Sequence, residues 1–225
     1  SLAVCEAKVK AVTIGLIGDS TVAVQSGWGP AFTKRFDAQA KIVNYAKNGA
    51  TLKALSGKLD ELLQLQPDYV LIQFGHNDQK RYDTQVYKTH LQSYVDRIQK
   101  GGGKPIIVSS VTRRSFDENG RIVSNLVRNE KYSYKATLTD YAKAAEALAR
   151  ELNLPFLDLY RVSIAHHNEI GREESMTYNF KEGDKTHFNR KGAEAITDLI
   201  IEELKNTIPK VIVYLKRSKP ADSIP

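Results

Sequence analysis

Short runs of β-branched and aliphatic residues alternate with stretches of helical period along most of this chain, and that alternation restricts the fold more than any other feature. Val12-Thr13-Ile14-Gly15-Leu16-Ile17 reads as a buried strand, broken by Gly18-Asp19-Ser20. Ile42-Val43-Asn44-Tyr45 is a shorter strand. A helix is predicted over about 52–65, with Leu52, Leu55, Leu59, Leu62 and Leu63 on one face, ended by Gln66-Pro67-Asp68. Tyr69 to Phe74 is a third strand, closed by Gly75. From about 84 to 100 the apolar positions Val86, Leu91, Tyr94, Val95 and Ile98 recur near helical spacing, and Gly101-Gly102-Gly103 stops the helix. Pro105 to Val108 starts a fourth strand, Pro155 to Leu159 makes a fifth, and helices are predicted over about 138–152 and 190–205. This order argues for an α/β fold, a three-layer α/β/α sandwich around a parallel sheet.

Composition supports one such domain over 1–225, with extensions at 1–10 and 207–225. Hydrophobic residues make up 41% and charged residues 26%, too apolar for a disordered chain and too evenly mixed for a coiled coil. A chain this long buries roughly 70% of its unfolded surface, enough for one large core. Cys5 is the single cysteine, so no intramolecular disulfide and no multi-cysteine zinc site can form. The longest apolar run, Val211 to Leu215, has five residues, against the roughly 20 that span a bilayer. That run, after Pro209, either adds an edge strand or docks on a partner subunit, which would give a homodimer through the C-terminal extension. Ser1-Leu2-Ala3-Val4-Cys5 reads either as the remnant of a bacterial lipoprotein signal or as an ordinary frayed terminus. Lys and Arg number 33 against 26 Asp and Glu, a formal charge of +7, but the densest patches are pairs: Lys80-Arg81, Arg113-Arg114 and Lys216-Arg217. That scatter describes a solvated surface and not a nucleic-acid face.

Ligands in parallel α/β sheets bind beyond the carboxyl ends of the strands, so the residues just after each strand carry the functional information. After the first strand, Gly18-Asp19-Ser20-Thr21 puts a serine on a sharp turn, where its hydroxyl stands above the sheet edge; alone, the same residues read as a helix N-cap. After the second, Asn48-Gly49 offers a turn with a free backbone N–H. After the third, Gly75-His76-Asn77-Asp78 supplies an amide donor in Asn77, with His76 and Asp78 as candidate substrate contacts. Before the last helix, Asp184-Lys185-Thr186-His187 places a carboxylate three residues ahead of a histidine, close enough to hold its ring and leave the far nitrogen free for a serine proton. Each loop has an ordinary structural reading. Together they provide hydroxyl, base, orienting carboxylate and oxyanion donors, the parts that acyl transfer requires. A metal-assisted alternative would use His76, Asp78, Asp184 and His187, and it leaves the serine without a role.

These blocks resemble the SGNH hydrolases, also called GDSL esterases: Gly18-Asp19-Ser20, Asn44 through Gly49, Gly75-His76-Asn77-Asp78 and Asp184 through His187. The resemblance runs from about Val12 to Leu204. Gly18-Asp19-Ser20-Thr21 with Gly27-Trp28-Gly29, Phe74 through Asp78, and Thr186-His187-Phe188-Asn189 are similar to the rhamnogalacturonan acetylesterase branch. Ala50-Thr51 departs from it, since that branch usually carries Arg-Ser after the block glycine. The resemblance implies a flavodoxin-like SGNH fold, Ser20 as nucleophile, His187 as base and then acid, and Asp184 orienting His187. It implies an oxyanion hole from the N–H groups of Ser20 and Gly49 and the Asn77 amide, with no cofactor or metal. The expected activity is removal of acetyl groups from an acetylated plant cell-wall poly- or oligosaccharide, in a secreted, periplasmic or cell-surface bacterial protein. Alternatives are a lipase or thioesterase on the same fold and a non-catalytic carbohydrate-binding module. The polar, tyrosine-containing excursion over about 113–135 leans toward sugar. In it Arg113, Arg114, Tyr132 and Tyr134 are candidate substrate contacts. Trp28 either walls the site as a sugar platform or packs the first helix onto the sheet. His166-His167 reads as a structural pair. A uronate-containing substrate would give the excess positive charge a steering role.

Overall fold

Hydrophobic alternation along the strands sorts the core into two layers. The computed structural model describes residues 9–217. Five strands, β1 (Val12–Gly18), β2 (Ala40–Asn44), β3 (Tyr69–Gln73), β4 (Lys104–Val108) and β5 (Phe156–Leu157), pair in parallel in the order β2-β1-β3-β4-β5. Successive side chains of a strand point to opposite faces. Ile14, Leu16, Leu71, Ile106 and Val108 therefore face one layer, with helices α1 (Gly29–Thr33), α6 (Arg190–Thr207) and α7 (Pro209–Ile212). Ile17, Val70, Ile72 and Ile107 face the other, with α2 (Ser56–Gln64), α3 (Thr84–Lys100) and α4 (Leu138–Glu151). The helix starts are written locally: Asp83 caps α3 through Val86 N–H, Thr137 and Asp140 form a capping box on α4, and Asn189 caps α6 through Gly192 N–H.

Three expectations need correction. Helix α2 begins at Ser56 and not near Leu52, because the Leu52 N–H is taken by Asp78 Oδ1 at 3.2 Å and the Ala54 N–H by Thr51 Oγ1 at 3.1 Å. An unexpected helix, α5 (Leu159–Met176), fills the stretch containing His166 and His167. Its buried face includes Ser163, His167 and Ser175, so no apolar stripe announces it, and Gly171 at φ 83° breaks it near the end. The segment after Pro209 is no edge strand. Pro209 opens a helical turn, as proline at a first helical position favours, and Val211 and Tyr214 bury in this chain's own core. Only Leu215 forms an isolated antiparallel bridge, to Phe36. Cys5 and the other residues of the proposed signal remnant lie outside the described residues.

Sheet order decides where the site falls. The chain moves outward to β2 and then back across β1 to β3, so β1 and β3 lie on either side of the point where connections diverge, the position at which doubly wound sheets bind ligands. The loop leaving β1 is compact: Gly27 N–H reaches Ala23 O at 2.9 Å and Trp28 N–H reaches Thr21 O at 2.8 Å. A Cβ on Gly27 would lie 2.4 Å from the Val22 backbone, so only glycine lets the loop return this closely.

Trp28 therefore packs in the core and walls no cavity. It is fully buried, stands edge-on to Phe32, and donates from Nε1 to Gln73 Oε1 at 2.9 Å, while Gln73 Nε2 donates to Thr21 Oγ1. Trp28→Phe orphans the Gln73 acceptor and is expected to lower unfolding free energy by about 1–3 kcal/mol in urea titration. An unchanged midpoint would show that this bond contributes nothing.

Candidate active site

Loops from four parts of the chain meet at the carboxyl edge of β1 and β3 around an open cavity of about 780 Å³. Ser20, Gly49, His76, Asn77, Asp184 and His187 all line it, so the structure brings these six predicted residues together. Trp28 and Asp78 are not part of its wall.

The turn that carries Ser20 is built on Asp19. This buried carboxylate accepts the Thr21 N–H at 2.9 Å and the Thr21 hydroxyl at 2.7 Å on one oxygen. Its other oxygen stands 3.5 Å from His76 Nδ1, too far for a well-formed hydrogen bond. Burial works against the Asp19 charge, but His76 and the Thr21 donors outweigh it and hold the carboxyl below its usual range. Burial pushes His76 down, with Asp19 pulling the other way and the Arg113 charge adding to the shift.

Ser20 Oγ lies 2.7 Å from His187 Nε2, and His187 Nδ1 lies 2.9 Å from Asp184 Oδ2. Asp184 Oδ1 also accepts the N–H groups of Thr186 and His187, each at 3.0 Å, so the carboxylate fixes its own loop while it faces the ring. Burial disfavours its charge, yet the backbone and ring donors of His187 and the Thr186 N–H together lower its pKa. A carboxylate on Nδ1 sets the tautomer that leaves Nε2 as the acceptor for a serine proton. Among the described residues neither the Ser20 N–H nor the Gly49 N–H donates to a protein acceptor. Gly49 holds φ 75°, where a side chain would be strained. Asn77 Nδ2 donates to Ala50 O at 3.1 Å, and Lys80 Nζ donates to Asn77 Oδ1 at 3.2 Å. Lys80 thus decides which end of the amide is oxygen, and the second Nδ2 hydrogen stays uncommitted.

Arg113 and Arg114, adjacent in sequence, face opposite sides. Arg114 is fully buried. It donates from Nε to Asn179 Oδ1 at 2.9 Å and from Nη2 to the carbonyls of Asp184 and His187, while its own N–H reaches Lys185 O at 2.9 Å. Its guanidinium stands 4.6 Å over the Phe188 ring. Burial lowers its pKa to about 10, which leaves it cationic at neutral pH. Arg114 is therefore no substrate contact; it holds the loop on which Asp184 and His187 sit. Beside it, His167 Nδ1 pairs with Ser175 Oγ at 2.8 Å, and burial pushes His167 down to about 3, a neutral structural group.

The sequence reading did not assign Lys80, Lys131, Phe180 or Lys181 to the site, and they also line the cavity. The available signal for Lys80 was its place three residues after Asn77, across the single 3-10 turn Asp78–Lys80. Phe180 sits where the chain turns back beside the His187 loop, through the Asn179 to Phe188 bridge, a contact no local spacing reveals. Among the described residues no three His, Cys, Asp or Glu side chains are grouped so as to hold a metal ion. No described helix is long and apolar enough to cross a membrane.

A strand-turn serine, a histidine and a carboxylate stand in hydrogen-bonded series on a flavodoxin-order sheet, an arrangement that can carry out acyl transfer. Residues 16–195 match the GDSL-like lipase/acylhydrolase family, and the chain belongs to it. It is a carboxylic ester hydrolase by class. It is 36% identical over 222 residues to the rhamnogalacturonan acetylesterase RhgT of Bacillus subtilis (strain 168), covering 87% of this chain and 90% of that protein. The probable rhamnogalacturonan acetylesterase YesY of the same organism is 29% identical over 212 residues, covering 85% and 92%. Among solved structures, YxiM of Bacillus subtilis superposes with a TM-score of 0.72 at 25% identity over 88% of this chain, which spans 57% of that chain. The acetyl xylan esterase AlAXEase shares the fold, with a TM-score of 0.66 at 18% identity over 85% of this chain and 98% of that one.

Asp78, in place of touching substrate, is a buried structural carboxyl: Oδ1 accepts the Leu52 N–H and Oδ2 has no partner. Burial raises its pKa from 3.8 to about 7. A raised folded-state pKa means that its contribution is fully present below 3.8 and is lost as pH rises through about 7. Asp78→Asn keeps the acceptor for Leu52 and cannot ionise. Its stability relative to the natural protein should therefore rise between pH 4 and pH 8, read from urea midpoints at each pH; a constant difference would show that Asp78 does not titrate in that window.

Proposed function

We propose that this chain removes acetyl groups from an acetylated pectin-type polysaccharide, rhamnogalacturonan foremost, through an acetyl-enzyme on Ser20. The observation that carries the chemistry is the 2.7 Å contact between Ser20 Oγ and His187 Nε2, backed by Asp184 on the far nitrogen. As the Ser20 oxygen attacks the acetyl carbonyl carbon, its proton passes to His187 Nε2, and the carbonyl π pair moves onto oxygen. The uncommitted N–H groups of Ser20 and Gly49 and the free Asn77 Nδ2 hydrogen are the donors available to that oxyanion. Collapse breaks the bond to the sugar oxygen, which leaves with the proton from His187. Water then attacks the acetyl-serine, His187 takes its proton, and acetate departs as Ser20 Oγ recovers a proton. The Asp184 carboxylate stabilises the imidazolium formed in both halves.

The polymer is supported by the names of the relatives and by the character of the wall. Lys80, Arg113, Lys131 and Lys181 rim the cavity with Tyr132, Tyr134 and Phe180, a surface for stacking and hydrogen-bonding a sugar and a poor trough for a long acyl chain. Such a polymer lies outside a bacterial cell, so a secreted, periplasmic or cell-surface location accompanies the proposal; recovery from the cytoplasmic fraction alone would count against it.

Acetate release from acetylated rhamnogalacturonan, acetylated xylan and a long-chain nitrophenyl ester tests the substrate. Release should be fastest from the first, and a preference for the long-chain ester would reject the sugar reading. Ser20→Ala should abolish release and covalent labelling by an organophosphate. Asn77→Ala should lower kcat by about 10²–10³ with the fold retained. An Asn77→Ala enzyme of natural rate would remove that amide from the oxyanion site.

A further inference from the structure

Two positive charges at this site are half-buried and form no ion pair among the described residues; the buried Asp19 carboxylate favours both charges, but only from beyond ion-pair distance. Arg113 donates from Nη1 to Gln79 Oε1 at 2.7 Å and stands 5.0 Å over the Tyr134 ring. Lys80 donates to Asn77 Oδ1 at 3.2 Å and stands 3.9 Å over the Tyr132 ring. Among the described residues no carboxylate comes within 4.0 Å of either cation. Several other cations have such a partner, Arg35 with Asp198, Lys88 with Glu151, Arg97 with Asp60 and Lys191 with Glu174, and the buried Arg114, which lacks one, is held by carbonyl and amide oxygens. Removing a cation from water without an opposite charge is costly. Burial lowers the pKa of both groups, and the Arg113 charge further disfavours charge on Lys80 and on His76.

The segment over these cations is local in construction. Tyr134 N–H bonds Val127 O at 2.7 Å and Asn129 N–H bonds Tyr132 O at 2.9 Å, closing a small loop that presents both tyrosines toward the cavity. Lys135 N–H then ties that loop to Gln79 O at 2.7 Å, the residue that also receives Arg113. Lys131 and Lys181 also line the cavity, against two acidic residues, Glu182 and Asp184.

We infer that Arg113, with Lys80 beside it, forms a subsite for the carboxylate of a uronic acid residue of the bound acetylated polymer, with Tyr132 and Tyr134 flanking that residue. A planar guanidinium suits a carboxylate through two parallel N–H bonds, and one of its edges is already fixed by Gln79. The inference rests on the sugar-esterase reading for its substrate class, and on the unpaired cations for its position.

The test uses oligogalacturonate without acetyl groups as a competitive inhibitor of 4-nitrophenyl acetate hydrolysis, with a neutral xylo-oligosaccharide of equal length as control. Oligogalacturonate should inhibit the natural enzyme much more strongly than the neutral sugar, and added salt should weaken the inhibition. Arg113→Met should raise its inhibition constant by about tenfold or more, and Arg113→Lys should recover part of the loss. Arg113→Gln gives the same readout should Arg113→Met fail to fold. Equal inhibition of natural and variant enzymes, or equal inhibition by the neutral sugar, overturns the subsite. An enzyme that binds oligogalacturonate through Arg113 yet releases no acetate from acetylated rhamnogalacturonan supports the subsite and overturns only the polymer assignment.

Discussion

A buried guanidinium without a carboxylate partner depends on neutral acceptors, and in this protein most of those acceptors belong to the loop that carries Asp184 and His187. Arg114 takes Asn179 Oδ1 and the carbonyls of Asp184 and His187, and its backbone N–H takes Lys185 O. Six residues after the end of β4 it therefore grips a loop that arrives some seventy residues later. Each carbonyl it holds would otherwise be a costly orphan, so the loop has few alternative arrangements. Asp184 adds a second restraint by accepting two N–H groups of its own turn. Across the cavity Asp19 plays the corresponding part for the Ser20 turn. The 2.7 Å contact between Ser20 and His187 is the meeting of two loops that opposite buried charges have each made rigid.

The sheet was legible because its physics is local. Each strand is a short run rich in aliphatic residues bounded by glycine, proline or a polar turn, and β1, β3 and β4 are buried along most of their length, with β2 half-buried at the sheet edge. Helices α3, α4 and α6 carry apolar faces with capping residues at their starts, and all three were placed within a few residues. Helix α5 was missed for the converse reason. Its inward face rests on hydrogen bonds, His167 to Ser175 and Ser163 to the Thr112 N–H, so its burial is polar and the periodic signal is weak. The segment after Pro209 was misplaced because an apolar run shows the need for cover but not the surface that provides it.

The site was legible to the extent that it depends on chain order. Once the strands are placed, the residues after each of them gather at one edge, and Ser20, Gly49, His76 and Asn77 follow from that rule. What spacing could not show is the direction in which a residue faces. Trp28 and Asp78 lie beside motif residues and point into the body; Arg113 and Arg114 are neighbours with opposite destinations. Lys80 was read only as half of a surface charge pair because its partner, Asn77 Oδ1, becomes significant only when the orientation of the amide matters.

The charge of the chain illustrates the same limit. A formal excess of +7, scattered in pairs, carries little information, since a solvated lysine costs nothing and binds nothing in particular. Burial alters the weight of each charge. Arg114 spends its charge on carbonyls and is structural. Arg113 and Lys80 are placed against aromatic rings and neutral oxygens, which relieve a desolvated cation only in part. The cations relevant to substrate are thus the few whose environment leaves them undercompensated at the cavity, and the net charge could have been zero without altering that conclusion.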